Sequence, residues 1–273
     1  MINHPYKLLV VDIDGTLVGK DGNILPQDRQ ALAKARDLGI KVSVSTGRAA
    51  QSCLSIIHQL ALDGYHIFFD GALVSNPAQN EEVYIQPLSK AVVRKAIEFA
   101  HLNDIDIDLY STTHYFIERE TRSSKVHHDF FGLQPILVDF NKIWERERII
   151  KGGLVTTSPK EAAKAEKFRL KFKDSLHFSR VRTLAFPGVD FINVVAPGVS
   201  KGTALKALAS HLGISLTEVI AIGDGANDIP LLSLAGLGIA MGNAPAEVKA
   251  AADYITLDID HAGLAIAIRK FLL

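Results

Sequence analysis

Cysteine is almost absent: Cys53 is the only one in 273 residues. A single thiol excludes an intramolecular disulfide and any zinc site built on cysteines. Surrounded by the helical pattern around Leu54, it reads as a small buried hydrophobe and not as a nucleophile. No apolar run approaches the roughly eighteen residues that a bilayer-spanning helix needs. The N-terminal Met1–Lys7 stretch also lacks a basic segment leading into a long apolar one. A surplus of either charge is missing as well, since 30 basic residues balance 30 acidic ones. That balance gives no support for nucleic acid or an anionic membrane as partner. No repeat, low-complexity tract or flexible linker is visible. These absences point to a soluble cytoplasmic protein with a sizeable core in one large or two moderate domains; a monomer or weak homodimer is the expected state.

What is present is a rhythm. Leu8–Val11 is a short apolar run that reads as a strand buried on both faces. Pro26 suits the first turn of a helix whose apolar positions are Leu32, Ala35 and Leu38, and Gly39 ends it. Ile40–Ser45 and Tyr65–Phe69 are further strands, with a helix over 49–61 between them. Strand–helix alternation of this kind argues for βαβ units and a parallel sheet. Near Pro77 the pattern changes. The strands lengthen and alternate, Ile105–Tyr110 and Tyr115–Glu118 read as a hairpin, and helices are expected over 90–103 and 160–173. From Phe191 the first rhythm returns: an apolar run to Val195, a helix capped by Ser200, strands at Val219–Ile222, Leu237–Met241 and Tyr254–Leu257, and a closing helix. The reading is an α/β protein whose doubly wound, Rossmann-like parallel sheet (1–82 and 189–273) carries an inserted α+β domain (83–188).

Polar clusters follow the strands of the first rhythm. They are Asp12/Asp14/Thr16, Thr46-Gly47, Lys201 at a helix start, and Asp224/Asn227/Asp228. Each alone has an ordinary explanation: an Asp-Gly turn, a helix entry, a solvated lysine, a helix cap. Ligands of open α/β sheets, however, bind outside the carboxyl ends of the strands, where all four clusters would lie. A buried strand ending in paired acids is costly unless something uses the charge, and hard oxygen donors suit a divalent cation.

In this order and spacing, D-x-D-G-T, T-G-R, V-S-K-G and G-D-x-x-N-D resemble the haloacid dehalogenase superfamily of phosphohydrolases. The position of the inserted domain resembles the Cof-type subfamily with its α/β cap. The resemblance implies a Mg²⁺-dependent phosphatase of small phosphorylated metabolites, sugar phosphates foremost. It implies Asp12 as the nucleophile that forms an aspartyl-phosphate, and Asp14 as general acid and then base. Asp12, Asp224, the carbonyl of Asp14 and, through water or through Lys201, Asp228 would serve the metal. Thr46, the N–H groups of Gly47 and Ile13, Lys201 and Asn227 would hold the phosphate oxygens. Arg48 would line the entrance or form an exterior salt bridge.

One position departs from the pattern: Asp70-Gly71-Ala72 stands where relatives often carry Asn-Gly-Ala. Either Asp70 contacts the leaving part of the substrate, or it turns away and is structural. In the inserted domain His114, Tyr115, Arg119, Arg122, His127 and His128 are candidates for substrate contact. Metal binding by the adjacent histidines is disfavoured, because neighbours on a helix do not face one way. A phosphotransferase or mutase sharing the intermediate is the rival reading. A non-catalytic sensor is a further one, against which Asp14 argues because a binder needs no acid/base.

Overall fold

All five residues of β1 (Leu8–Asp12) are buried, and β1 is the strand from which the first sheet spreads in both directions. In the computed structural model, which describes residues 5–181 and 186–273, the chain divides into two units. The first comprises Met1–Gly47, Cys53–Tyr84 and Ser200–Leu273; the second comprises Arg48–Ser52 and Ile85–Val199.

The first unit opens with β1, α1 (Pro26–Asp37), β2 (Lys41–Ser45), α2 (Ala50–Gln59), β3 (His66–Phe68), β4 (Leu73–Asn76) and β5 (Glu81–Ile85). Pro26 sits in the first turn of α1 as its missing N–H allows, and Gly39 follows the helix at φ +85°. The second unit contains α3 (Lys90–Leu102), β6 (Asp108–Tyr110), β7 (Tyr115–Ile117), α4 (Arg122–Phe131), β8 (Ile136–Leu137), α5 (Ile143–Arg146), β9 (Lys151–Thr156), α6 (Pro159–Phe172), β10 (His177–Val181) and β11 (Asp190–Val195). The chain then completes the first unit with α7 (Lys201–Leu212), β12 (Val219–Gly223), α8 (Ile229–Leu232), β13 (Leu237–Ala240), α9 (Ala246–Ala250), β14 (Tyr254–Ile255) and α10 (Gly263–Leu272).

The strand order of the first sheet is β14-β13-β12-β1-β2-β3-β4-β5. Pairing is parallel from β14 through β3, and β4 turns back antiparallel to β3. The order of strand connection reverses at β1, with β2 on one side and β12 on the other, which is the topological switch of a doubly wound sheet. Val11 lies beside both Val44 and Ile222. The ends of β1, β2 and β12 therefore reach the same edge together. Leu8, Val10, Val219 and Ala221 pack with Ala204, Leu205 and Leu208 of α7 in the core.

The edge pair β4–β5 goes beyond what the sequence pattern announces. Its strands are short, and the turn at Pro77 breaks the parallel rhythm by which the other strands are read. A second difference concerns the boundary of the inserted domain. The apolar run of residues 191–195 suggests the first sheet, but β11 pairs antiparallel with β10 and β9 in the second. An interior strand covered on both edges is apolar whichever sheet owns it. The second unit consequently runs to Val199.

In the second unit the strand order is β10-β11-β9-β6-β7-β8, antiparallel except for β7 with β8. Helices α3 and α6 share the ring cluster Phe99, Phe168 and Phe172, with centroids 4.8–6.1 Å apart. Ser89, Thr121 and Ser158 cap α3, α4 and α6 through their side-chain oxygens.

One buried group of the first unit carries a pH signature. The pairing of β2 with β3 is limited to Ser45 beside Ile67, and the His66 ring replaces the missing ladder bond by accepting from the Val44 N–H at 3.2 Å. His66 is fully buried, and among the described residues its Nε2 has no hydrogen-bond partner. Burial pushes the imidazole pKa down to about 4. A depressed folded-state value means that stability is complete above the unfolded value of about 6.5 and is lost as pH falls through about 4. The expected loss over that window is about 3 kcal/mol. Denaturant titrations from pH 7 to 4 should show this slope in the wild type. It should be flatter in His66→Asn, whose Oδ1 can accept from Val44 without titrating; equal slopes would remove His66 as the cause.

Candidate active site

β1 delivers Asp12 to the edge of the sheet and stops there. The Ile13 carbonyl accepts from the N–H groups of Leu17 and Val18, and the Gly15 N–H donates to Val18 O, so the loop curls back on itself at once. Gly15 has φ +90°, and a Cβ there would run into the carboxylate of Asp224. Only glycine lets the loop after β1 approach the loop after β12 so closely. Thr16, fully buried, donates to Asp224 Oδ1 at 3.0 Å.

Lys201 begins α7, which Ser200 caps by accepting from the Thr203 N–H at 3.1 Å. A cation at a helix N-terminus opposes the helix dipole. Here the cost is offset by two carboxylates, Asp12 Oδ1 and Asp228 Oδ1, each 2.5 Å from the Lys201 ammonium. All three side chains are buried. The other oxygen of Asp228 accepts from the N–H groups of Asp224 (3.1 Å) and Gly225 (2.9 Å), so Asp228 braces its own loop while it orients Lys201. Burial alone would lower the Lys201 pKa, but Asp12 and Asp228 more than reverse this and hold it above its ordinary value.

The carboxylates repel one another. Burial, then Asp228, raise the Asp12 pKa well above the usual range, with Lys201 opposing. Burial and Asp228 push Asp224 up to about 7. Asp12, Asp224 and Asp228 each offer an oxygen within 4.8 Å of the others. Three hard donors around one lysine form a site short of positive charge, which is the donor set a divalent cation takes. Asp14 is exposed at the loop, and its side chain does not join this triad.

Thr46 and Gly47 sit where β2 gives way to α2, and Thr46 is buried. The Thr46 carbonyl accepts from the Asp70 N–H at 3.0 Å. Phe69, Asp70 and Gly71 all have positive φ, at +52°, +55° and +100°. Two consecutive non-glycine residues in the left-handed region are unusual, at a cost of order 1–3 kcal/mol each. Gly71 has no alternative, because a Cβ there would meet the Ser200 carbonyl at the start of α7. The strained turn aims the Asp70 carboxylate inward. Asp70 Oδ1 accepts from the Asn227 side-chain amide at 2.8 Å, so one of that amide's hydrogens is committed to Asp70. The outward-turned alternative for Asp70 does not hold.

Asn243 is a site residue that the sequence motifs leave out. Its amide donates to the Gly15 carbonyl at 2.9 Å and to Asp224 Oδ2 at 3.2 Å, while its Oδ1 accepts from the Ile259 N–H at 3.1 Å. It ties the loops after β1, β12 and β13 together. The one signal for it is its place directly after a strand, as with the other clusters. Arg48, half-buried, opens the turn into α2.

The second-unit candidates divide by environment. His127 is buried with its Nδ1 on Asp108, which also accepts from the Tyr115 hydroxyl at 3.2 Å; the Tyr115 ring stacks on Tyr110 at 4.7 Å. His128 points elsewhere and donates to the Leu133 carbonyl at 2.6 Å. Arg119 forks between Asp104 and Asp106 at the surface, Arg122 is exposed in the first turn of α4, and His114 contacts Thr113 at 2.9 Å. Cys53 is fully buried.

A doubly wound α/β sheet that collects carboxylates and a buried lysine at its switch point, its sequence interrupted by a second α+β unit, defines a class of hydrolases. A family model described as haloacid dehalogenase-like hydrolase matches residues 9–268, and the chain belongs to that family. It is an enzyme of the phosphatase class. Among solved structures it is similar to the phosphatase BT1666 of Bacteroides thetaiotaomicron, with 30% identity, a TM-score of 0.82, and coverage of 99% of this chain and 96% of that one. It is also similar to the subclass IIB sugar phosphatase BT4131, with 26% identity, a TM-score of 0.81, and coverage of 97% and 98%. In sequence it is 28% identical to the Bacillus subtilis 5-amino-6-(5-phospho-D-ribitylamino)uracil phosphatase YcsE over 98% of this chain and 96% of that protein. No helix among the described residues is long and apolar enough to cross a membrane.

Proposed function

We propose that this enzyme hydrolyses phosphomonoesters of small metabolites, sugar phosphates foremost, through an aspartyl-phosphate on Asp12, with Mg²⁺ as cofactor. The observation that carries the reading is the buried Asp12–Lys201–Asp228 array, which fixes one oxygen of Asp12 and leaves the geometry of an oriented nucleophile. Asp12 attacks phosphorus, and the leaving oxygen takes its proton from Asp14. Water then attacks the acyl phosphate with Asp14 as base, and inorganic phosphate departs. Lys201, Thr46 and the N–H groups of Ile13 and Gly47 stabilise the non-bridging oxygens as they gain charge. Asn227 completes that set, aligned by Asp70. Asp12 and Asp224, with the carbonyl of Asp14, would hold the cation, and Asp228 would steady the loop that presents Asp224. When bound, the cation supplies the positive charge that lets an anionic carboxylate approach an anionic phosphate. The second unit, approximately the inserted domain read from the sequence, is assigned to substrate choice, and the similarity to phosphatases of sugar and ribityl phosphates supports a small substrate.

The test uses p-nitrophenyl phosphate in Mg²⁺ buffer. Stoichiometric release of inorganic phosphate that stops on chelation and returns with Mg²⁺ is expected. Transfer of the phosphoryl group to an added sugar in place of release would favour a transferase, and no turnover of any phosphomonoester would overturn the proposal.

A further inference from the structure

Asp70 is held against the groups assigned to phosphate binding from three directions. Its N–H is tied to the Thr46 carbonyl at 3.0 Å. Its carboxylate lies 2.9 Å from where a Cβ on Gly47 would stand. Its Oδ1 takes the Asn227 amide at 2.8 Å. Its charge also acts on Lys201. The backbone that achieves this is strained at both Phe69 and Asp70, a cost that persists only where the surroundings over-determine it. A carboxylate fixed in this position does two opposing things. It orients an amide donor toward the phosphate oxygens, and it sets a negative charge beside a site that takes an anion.

We infer that Asp70 is a positioning residue that aligns Asn227 and lowers the affinity of the cradle for free inorganic phosphate, so that the product leaves. The inference rests on the phosphatase reading above. Phosphate bound at the Gly47 N–H and Lys201 feels the Asp70 charge at close range in a poorly screened site. The substrate feels it too, which predicts a KM higher than the same cradle would give without the charge.

The conservative variant separates the two roles. Asp70→Asn removes the charge, keeps an oxygen to accept from Asn227, and suits the left-handed backbone, where asparagine is well tolerated. Asp70→Ala removes both. Inorganic phosphate is titrated calorimetrically into the full chain in Mg²⁺ buffer, and p-nitrophenyl phosphate kinetics are recorded in parallel. For Asp70→Asn the expected result is a phosphate Kd about tenfold lower than wild type, a KM lowered in step, and kcat within about threefold. For Asp70→Ala the Kd falls similarly, and kcat falls as well because Asn227 is no longer held. Glu247→Gln, which removes one exposed charge from α9, leaves the Kd unchanged. A Kd in Asp70→Asn equal to or weaker than wild type overturns the inference while leaving hydrolysis in place. An equal tightening in Glu247→Gln also overturns it, since the effect would then be one of overall charge. Absence of phosphate binding by an inactive wild type overturns both readings.

Discussion

Lys201→Ala is expected to lose hydrolysis by at least about a thousandfold and to weaken the metal-free fold by about 3 kcal/mol at pH 8. The activity term follows from removing the buried ammonium that meets Asp12 and Asp228. The stability term is the less obvious one. Lys201 stands between Asp12 and Asp228, 2.5 Å from each, and all three are out of water. Its removal leaves two buried carboxylates facing each other, and an uncompensated buried charge is among the most damaging of single changes. The Asp12 pKa is already raised in the intact protein by burial and by Asp228, against the pull of Lys201. Without that pull it rises further. For an acid whose folded-state pKa is raised, stability is complete below the unfolded value and is lost as pH climbs through the folded one. The gap between Lys201→Ala and wild type should therefore be widest at pH 8 and shrink toward pH 5. Denaturant midpoints measured in chelator across that range check this. A gap that stays constant with pH would mean that lost packing, not stranded charge, is the cause. Added Mg²⁺ should narrow the gap at pH 8, since the proposed cation site includes Asp12, one of the two stranded charges.

Much of this arrangement is legible in the order of residues because the chain repeats one device. Apolar runs end in polar clusters at Asp12, Thr46 and Asp224, and a parallel sheet brings the ends of such runs to one edge. Ser200 before Lys201 signals the helix start that carries the lysine. The unreadable parts have physical reasons. Whether the apolar run 191–195 belongs to the first or the second sheet depends on pairing, which hydrophobicity does not encode. Asn243 acts through an amide that reaches the Gly15 carbonyl and Asp224, some 228 and 19 positions away in the chain, so nothing local marks it. Asp70 is visible as a departure, but its direction is not, because it depends on successive left-handed residues that include a phenylalanine. Such backbone is imposed by surroundings against local preference. Asp28 shows the same limit inside a helix. Nothing in the spacing of Leu32 and Ala35 marks it, yet it is buried and accepts from the Ala265 N–H of α10 at 2.7 Å, and burial pushes its pKa up to about 6.

Asp12→Asn should separate activity from stability more sharply than any other change in the chain. Loss of hydrolysis by about 10⁴-fold or more is expected on the proposed mechanism, because an amide in place of the proposed nucleophile could not form the acyl phosphate. In chelator at pH 8 the same variant should be more stable than wild type. The substituted amide keeps the shape of the side chain, and Lys201 keeps Asp228 as its counter-ion. What disappears is a buried carboxylate whose ionised form the fold disfavours, as its raised pKa records. By the sign of that shift the advantage is a property of neutral and alkaline pH. It should shrink as pH falls and Asp12 of the wild type takes up its proton. Saturating Mg²⁺ should reverse the ranking, since ligand binding stabilises the form that binds more tightly and a neutral amide is a poorer ligand than the carboxylate it replaces. Melting curves of both proteins with chelator and with Mg²⁺, at pH 8 and pH 5, test all three statements. Turnover that survives in Asp12→Asn would end the nucleophile assignment. Asp12→Asn melting below wild type in chelator would mean that the ion pair of Asp12 with Lys201 outweighs the burial of its charge. The crossing of the two curves with Mg²⁺ follows from a site whose charges are balanced for an occupied state, and which is strained when Asp12, Asp224 and Asp228 face one lysine alone.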